Sequence, residues 1–571
     1  MIKNNSILTE QRDTIEIHLP DGRVISGDRG GTIADFLEIL PLEERQIIVG
    51  AIVNSELREL TLSLTMDATV VPVTMKSADG ARIYRRSLTF LLEVAFEDLF
   101  PDVELWIDHS VSSGGFFCQV RGRDPLSVDE LDQISKLMSI LVQTNLPFER
   151  QKVPLKDAID YFKSKGETDK VRLLSYRQKE FLILYRLENH RDYLHGYMVP
   201  STGYIKWFGL TKMDHGFVLS YPRRFAPTGI QPMPPSLKLV NTFHEYGDWL
   251  ERLGIESVGA LNDAIAASRI REVILVSEAL HEQRISDIAS QIAQKIKNIR
   301  VVLISGPSSS GKTTFSKRLS IQLLSQGVSP YALEMDNYFV DREKTPKDKT
   351  GAYDYEVIDA LNRPLLNEHL TDLIAGKEVQ IPHFDFKAGR SFPGEVVKLL
   401  PGQLIVLEGI HGLNPELLPD IPAEQSFRIY VSSLTQLNLD KHNRISTTDT
   451  RLLRRIVRDA NDRGYSAHQT LQRWESVRAG EKNHIFPYQE NADIMFNSAL
   501  AYELSAIKPV VEPLLRQVPF GSQEYIEAKR LLAFLDWFLP INSDLIPDNS
   551  ILREFLGGSI LHDFKLWQNN R

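Results

Sequence analysis

Residues 301–314 read VVLISGPSSSGKTT, and no other stretch constrains the chain as tightly. A run of β-branched and apolar residues, Val301 to Ile304, leads into Gly306, then Gly311-Lys312-Thr313, and a helix-compatible segment follows. The spacing G-x-x-x-x-G-K-[ST] between a buried-type strand and a helix start predicts a strand, a phosphate-cradling loop and a helix. A triphosphate needs several backbone N–H groups converging on it, so the loop needs glycines that accept unusual dihedrals and close approach. The helix N-terminus adds its positive dipole end, Lys312 a mobile charge and Thr313 a hydroxyl for Mg²⁺. The candidate ATP contacts are therefore Gly306, Ser308, Ser309, Ser310, Gly311, Lys312, Thr313 and Thr314.

At 571 residues the chain has room for roughly three or four domains around that loop. Residues 14–76 alternate in strand fashion around one short helical segment, TIADFLEIL, and read as a small β-rich module. Residues 80–165 carry helical periodicity, and 170–225 turn to short strand-like runs punctuated by Gly and Pro. Residues 237–298 read as a helical connector. From 299 to 500 strand and helix patterns alternate, the mark of a parallel sheet with crossover helices, with strands expected at 301–305, 331–335, 404–408, 427–431 and 493–497. The tail, 501–571, is helix-rich. The expected divisions are 1–76, 77–228, 229–298, 299–500 and 501–571. A net charge of −9 argues against broad coating of nucleic acid. The one cysteine, Cys118, excludes an intramolecular disulfide and any multi-cysteine metal site. With no apolar run long enough to span a bilayer and no signal-like amino terminus, a cytoplasmic location is expected.

Three constellations in the second half carry chemistry. Asp336, in Met335-Asp336-Asn337-Tyr338-Phe339, follows the second strand, where open α/β sheets bind ligands. A carboxylate there can accept the proton of an attacking hydroxyl; taken alone it also fits a turn or helix cap. Glu408 ends the apolar strand Leu404–Leu407, a position suited to tethering Mg²⁺ beside Thr313. In DTRLLRRIVRDANDRGYS, Arg451, Arg454, Arg455 and Arg458 fall on one side of a helix, with Arg463 just beyond it. Such a stripe predicts a mobile arginine lid over transferring phosphates, because guanidinium stays charged when water is expelled.

Together these motifs resemble the uridine kinase and phosphoribulokinase family of P-loop kinases, more closely its uridine kinase branch. The resemblance spans about residues 300–500, through GPSSSGKTT, MDNYF, YDYEVIDALN, IPHFDFKAGR, VLEGIH, RLLRRIVRDANDRG and IFPYQENADIMFNSAL. It implies a doubly wound, five-stranded parallel α/β kinase domain that transfers the ATP γ-phosphoryl group to a nucleoside 5′-hydroxyl. Asp336 would be the general base, Lys312, Arg458 and Arg463 would hold phosphates, and Thr313 with Glu408 would serve Mg²⁺. Phe339, Asp354, Phe384 and Arg455 would bind the acceptor, with Asp354 and Arg455 on the ribose hydroxyls. The chain departs from that pattern at five places. Tyr355-Glu356 stands for His-Pro, Phe339 for the usual Tyr after the catalytic strand, Phe384 and Gly389 for the Tyr and His that read the pyrimidine, and Tyr465 for a lid arginine. Strict uridine specificity is therefore not expected, and a kinase for another alcohol or a sugar phosphate is the alternative. A nucleotide-sensing regulator is a second, less favoured alternative.

Residues 14–76 resemble the β-grasp (TGS) module of threonyl-tRNA synthetases, through LPDGRVISG, GTIADF, VNSELREL and MDATV. Residues 80–225 resemble the α+β editing domain that follows it, through IYRRSLTFLL, LFPDVELWI, GGFF, LPFERQKV, LLSYRQ and MVPSTGYIKWFGL. That domain uses a His-x-x-x-His pair and a later Cys and His. Here the matching positions are Arg86, Phe90, Leu194 and Met198, with His195 nearby, so neither a metal nor hydrolysis is expected in this half. A binding or regulatory element is expected, with contact to RNA left open. The other expected partners are a nucleoside or related alcohol and, in a homo-oligomer, a second copy of the chain.

Overall fold

The computed structural model describes residues 12–111, 114–232, 237–347, 351, 353–385, 388–435 and 437–564. Parts of the IPHFDFKAGR motif and the first eleven residues fall outside them. The chain divides into two compact units. The first comprises residues 1–234 together with 440–444 and 519–530, and the second the remainder.

The first unit opens with a five-stranded sheet of β1 (Thr14–His18), β2 (Val24–Asp28), β3 (Ile48–Val53), β4 (Glu56–Arg58) and β5 (Ala68–Thr74), in the order β2-β1-β5-β3-β4. Helices α1 (Ile33–Leu37) and α2 (Leu42–Arg45) cross between β2 and β3. Ile15, Ile17, Ile33, Phe36 and Val70 form the core of this module. Next, α3 (Ala78–Leu99) starts at Ser77, whose hydroxyl accepts from the Gly80 N–H. Its residues Phe90, Leu91 and Leu92 are fully buried, as a helix apolar on nearly every side requires. Around it lie β6 (Glu104–Val111), β7 (Gly115–Arg121), α4 (Val128–Thr144), β8 (Glu149–Pro154), α5 (Leu155–Ser164), α6 (Thr168–Leu174), β9 (Phe181–Leu187), β10 (His190–Asp192), β11 (Gly209–Met213) and β12 (Gly216–Ser220). The strands form two antiparallel sheets, β11-β12-β7-β6 and β10-β9-β8. Strands β6 and β7 fall inside a stretch whose sequence reads as helical.

In the second unit three helices, α7 (Leu237–Leu253), α8 (Val258–Ala266) and α9 (Ile270–Gln294), precede β13 (Val301–Ser305). All five residues of β13 are buried, because parallel strands lie on both sides of it and helices cover the sheet. The sheet runs β14-β17-β13-β18-β19 and is parallel throughout, with β14 (Pro330–Glu334), β17 (Leu404–Glu408), β18 (Ser426–Ser432) and β19 (Ile494–Asn497). These are the five strands expected from the sequence, within a residue at each start. Helix α10 (Lys312–Ser325) follows the loop after β13. Then come α11 (Arg363–Ile374), α12 (Thr447–Asp462), α13 (Ala467–His484), α14 (Glu503–Leu515), α15 (Gln523–Leu535, whose first turns belong to the first unit) and the short α16 (Arg553–Leu556). A hairpin of β15 (Val379–Asp385) and β16 (Arg390–Val397) also projects here. Its strand character is masked in sequence by Pro382 and Pro393, which face each other in register; a separate two-stranded ribbon tolerates prolines that a central strand does not. Among the described residues no helix is long and apolar enough to cross a membrane.

Candidate nucleotide and phosphoryl-transfer site

The loop between β13 and α10 is shaped by its glycines. A Cβ on Gly306 would lie 1.9 Å from the Val431 carbonyl oxygen, and Gly311 has φ +84°, so neither position admits a side chain without distortion. Ser309 also takes a left-handed φ of 58°. The hydroxyls of Ser309 and Ser310 are buried without partners among the described residues. Orphaned polar atoms in a turned loop at a helix N-terminus fit a phosphate-bearing ligand. Lys312 lies within the loop and its Nζ donates to the Pro307 carbonyl at 3.2 Å.

Thr313 and Glu408 meet, with the hydroxyl donating to Glu408 Oε2 at 3.2 Å. Two hard oxygen ligands converge there, the donor set that suits Mg²⁺. Burial raises the Glu408 carboxyl to about 7, helped by Asp336 and Glu554 and opposed by Lys312. Asp336 stands in the turn just after β14, open to water at its surface and surrounded by protein on its other sides. Burial raises its carboxyl, offset by Lys312, Arg463 and Arg458. Its carboxylate has no hydrogen-bond partner among the described residues.

The arginine stripe of α12 divides. Arg451 and Arg454 are wholly buried, paired respectively with Glu481 and Glu503. Leu452, Leu453, Ile456 and Val457 are also buried, so α12 is anchored on both faces and is not the mobile lid expected. The reason is charge placement: carboxylates from α13 and α14 reach the stripe, and a buried guanidinium is stable only when so paired. Arg455 donates to the Ser308 hydroxyl at 2.7 Å. Arg455, Arg458 and Arg463 gather round Asp459 at 3.3, 3.3 and 3.6 Å, which bundles three cations beside the loop.

On the acceptor side Phe339 packs against Phe384 and Tyr355, with ring centroids 5.7 and 5.9 Å away. Phe384 belongs to the core of this unit. Asp354 accepts the Glu356 N–H at 3.0 Å, a turn contact that leaves its second oxygen for other partners. Gly389 has φ +67°, and a Cβ there would meet the Arg342 guanidinium at 2.7 Å. The sequence reading missed Glu356, whose carboxyl burial and Glu481 push up to about 7 with Arg455 opposing. It also missed Glu481, which accepts the Ser308 N–H at 3.1 Å, and Glu554, which accepts that of Thr314 at 3.1 Å. Only Glu356 had a local signal, as the departure next to Asp354.

In the first unit the four positions matching the synthetase editing ligands are filled. Phe90, Leu194 and Met198 are buried. Arg86 donates to the Tyr197 carbonyl, and its guanidinium stands 2.6 Å from where a Cβ on Gly196 would lie. A separate group of buried ligand types, Glu93, Asp192 and His442, has the Lys170 ammonium in its midst, 2.7 Å from Asp192 and 3.0 Å from His442 Nδ1. Burial and Asp192 push Glu93 up to about 8. Against burial, Glu93 and Asp192 raise His442 to about 10. His442 arrives on the five-residue passage 440–444, which sequence distance concealed.

Residues 301–505 match the model of the phosphoribulokinase / uridine kinase family, so the C-terminal part of the chain carries a P-loop kinase domain of that family. The N-terminal part is similar to threonine–tRNA ligases. That of Laribacter hongkongensis is 33% identical over 198 residues, 34% of this chain and 31% of the ligase, and that of Azoarcus sp. gives the same figures. The chain thus spans about a third of those relatives' length. Solved structures similar to it include a possible uridine kinase from Bacillus stearothermophilus (20% identity, 37% of this chain, 98% of that one, TM-score 0.26). Another is the D-glycerate 3-kinase of Cryptococcus neoformans (13% identity, 44% of this chain, 87% of that one, TM-score 0.21).

Proposed function

We propose that the chain transfers the γ-phosphoryl group of ATP to a hydroxyl of a nucleoside-like acceptor, at the 5′ position in a nucleoside. The observation that carries this reading is Asp336, a carboxylate just after β14 with no hydrogen-bond partner among the described residues and with Lys312, Arg463 and Arg458 in electrostatic range. In this reading Asp336 takes the proton of the attacking hydroxyl while Lys312, Arg458 and Arg463 offset charge on the phosphates. Thr313 and Glu408 would hold Mg²⁺, which supplies further charge neutralisation. Asp354 and Arg455 would grip a vicinal diol.

The acceptor side favours an uncharged polyol over a sugar phosphate, since Asp336, Asp354 and Glu356 would repel a second phosphate. A second reading, an acceptor other than a pyrimidine nucleoside, is favoured by Arg342 filling the space beside Gly389. Mass spectrometry of products after offering ATP with a mixed nucleoside and sugar pool tests both. A phosphorylated nucleoside supports the first reading, a different phosphorylated alcohol the second, and no product removes the kinase assignment. For the synthetase-like half we infer a binding or regulatory role; RNA co-purifying with the chain would identify one partner.

A further inference from the structure

Helix α10 has no side chain of its own to cap its first turn: its N-cap is Gly311. Its amides therefore wait for an anion from elsewhere. One of them already has it. The Thr314 N–H donates to Glu554 Oε2 at 3.1 Å, from a residue 240 positions later in the chain. The segment around Glu554 is laid over the loop and its helix. Ile551 stands 2.5 Å from where a Cβ on Gly311 would lie. The Phe555 ring lies 5.1 Å from the Arg454 guanidinium, and the Phe555 carbonyl accepts from Asn461 on α12 at 3.0 Å. Lys317, one turn along α10, donates to the carbonyls of Leu561 and His562 at 2.6 and 2.9 Å.

A carboxylate on an amide of a phosphate cradle is a surrogate for phosphate: it has the same sign of charge and the same acceptor geometry. We propose that α16 is a built-in occupant of the nucleotide site, in which Glu554 takes the Thr314 amide and must leave before a nucleotide phosphate can have it. The proposal rests on the nucleotide-binding reading of the loop. Ile551, Leu552 and Phe555 are fully buried and hold the helix in place, so what leaves is the half-buried Glu554 side chain, next to Gly557 and Gly558 at positive φ.

The test uses the full chain and ADP with Mg²⁺. Glu554→Gln keeps the shape of the side chain and removes its charge. It is expected to tighten ADP binding by about three- to tenfold in calorimetry. In the unmodified chain, ADP is expected to speed amide hydrogen exchange across 553–558. Unchanged or weaker binding by Glu554→Gln, or greater protection of 553–558 with ADP, would overturn the proposal and make Glu554 part of a permanent wall. ADP failing to bind either protein would remove the nucleotide reading, and the occupant with it.

Discussion

The loop site of the second unit and the buried Lys170 cluster of the first, with Arg86, hold similar inventories of charged groups, disposed in different ways. In the first unit Lys170 sits among Glu93, Asp192 and His442, and Arg86 presses against Gly196 and donates to Tyr197. Glu93, Asp192 and His442 each have an oppositely charged neighbour there, although Glu93 Oε2 lacks a hydrogen-bond partner among the described residues. In the second unit Asp336 has no partner among the described residues, and the hydroxyls of Ser309 and Ser310 are likewise unmatched. Burying a charge is costly unless it is paired, so the buried charges of the first unit carry partners, whereas Asp336 is exposed and open to a ligand. The difference separates a scaffold from a working cleft more sharply than residue type does. Lysine, histidine and carboxylates occur in both.

The comparison breaks most readily at Asp336. Asp336→Asn is expected to lower phosphoryl transfer by about 10²–10⁴-fold while ADP affinity changes little. Steady-state rates with the accepted alcohol, beside ADP calorimetry, check this. Equal loss of rate and binding would make Asp336 as structural as Asp192.

Next in size are the arginines of α12 that pair internally. Arg451→Met leaves the fully buried Glu481 with only Arg478 and the Ser308 N–H, and is expected to destabilise the second unit by about 2–3 kcal/mol in denaturant unfolding. Arg269→Ala, which removes an exposed pair with Glu272, is expected to leave the same transition unmoved. A small effect at Arg451 would return it to the phosphate-binding group.

That division of the stripe could not be read from sequence, whereas much else could. Val301–Ser305 and Leu404–Glu408 are short, unbroken apolar runs, and parallel strands covered on both faces leave that mark. Gly306, Gly311, Lys312 and Thr313 act through neighbours within a few residues, so their spacing already carries their geometry. Arg451 and Arg454 look identical to Arg455 and Arg458 along the helix. Their fates depend on Glu481 and Glu503, 30 and 49 residues away, and on packing that buries one edge of the stripe. Glu554 and His442 were hidden for the same reason: each reaches its site from far along the chain.

A smaller effect concerns pH. Glu408 is raised to about 7 without a cation, so binding Mg²⁺ there must expel a proton from a fraction of molecules. Mg²⁺-dependent tightening of ADP is therefore expected to weaken about tenfold from pH 8 to pH 6. Glu408→Gln should flatten that dependence. A flat profile in the unmodified chain would show that Glu408 is ionised throughout, as a fully paired carboxylate of the first unit would be.

The smallest effect belongs to the first unit, where charges are matched by protein. His190 lies 2.9 Å from Glu97 and 2.8 Å from Asp98, one carboxylate at each ring nitrogen. The Glu97 hydrogen bond, against burial, raises it to about 8. A folded value above the unfolded one, about 6.5, means that protonated His190 stabilises the fold. That contribution is complete below about pH 6.5 and is lost as pH rises through 8. The site is partly open to solvent, which screens the pair, so about 1 kcal/mol is expected. Urea unfolding of the first unit at pH 6 and pH 9 should differ by that amount, and His190→Gln should abolish the difference. A dependence of opposite sign would mean that His190 is neutral in the fold, and matched charge would then not describe this unit as it describes the Lys170 cluster.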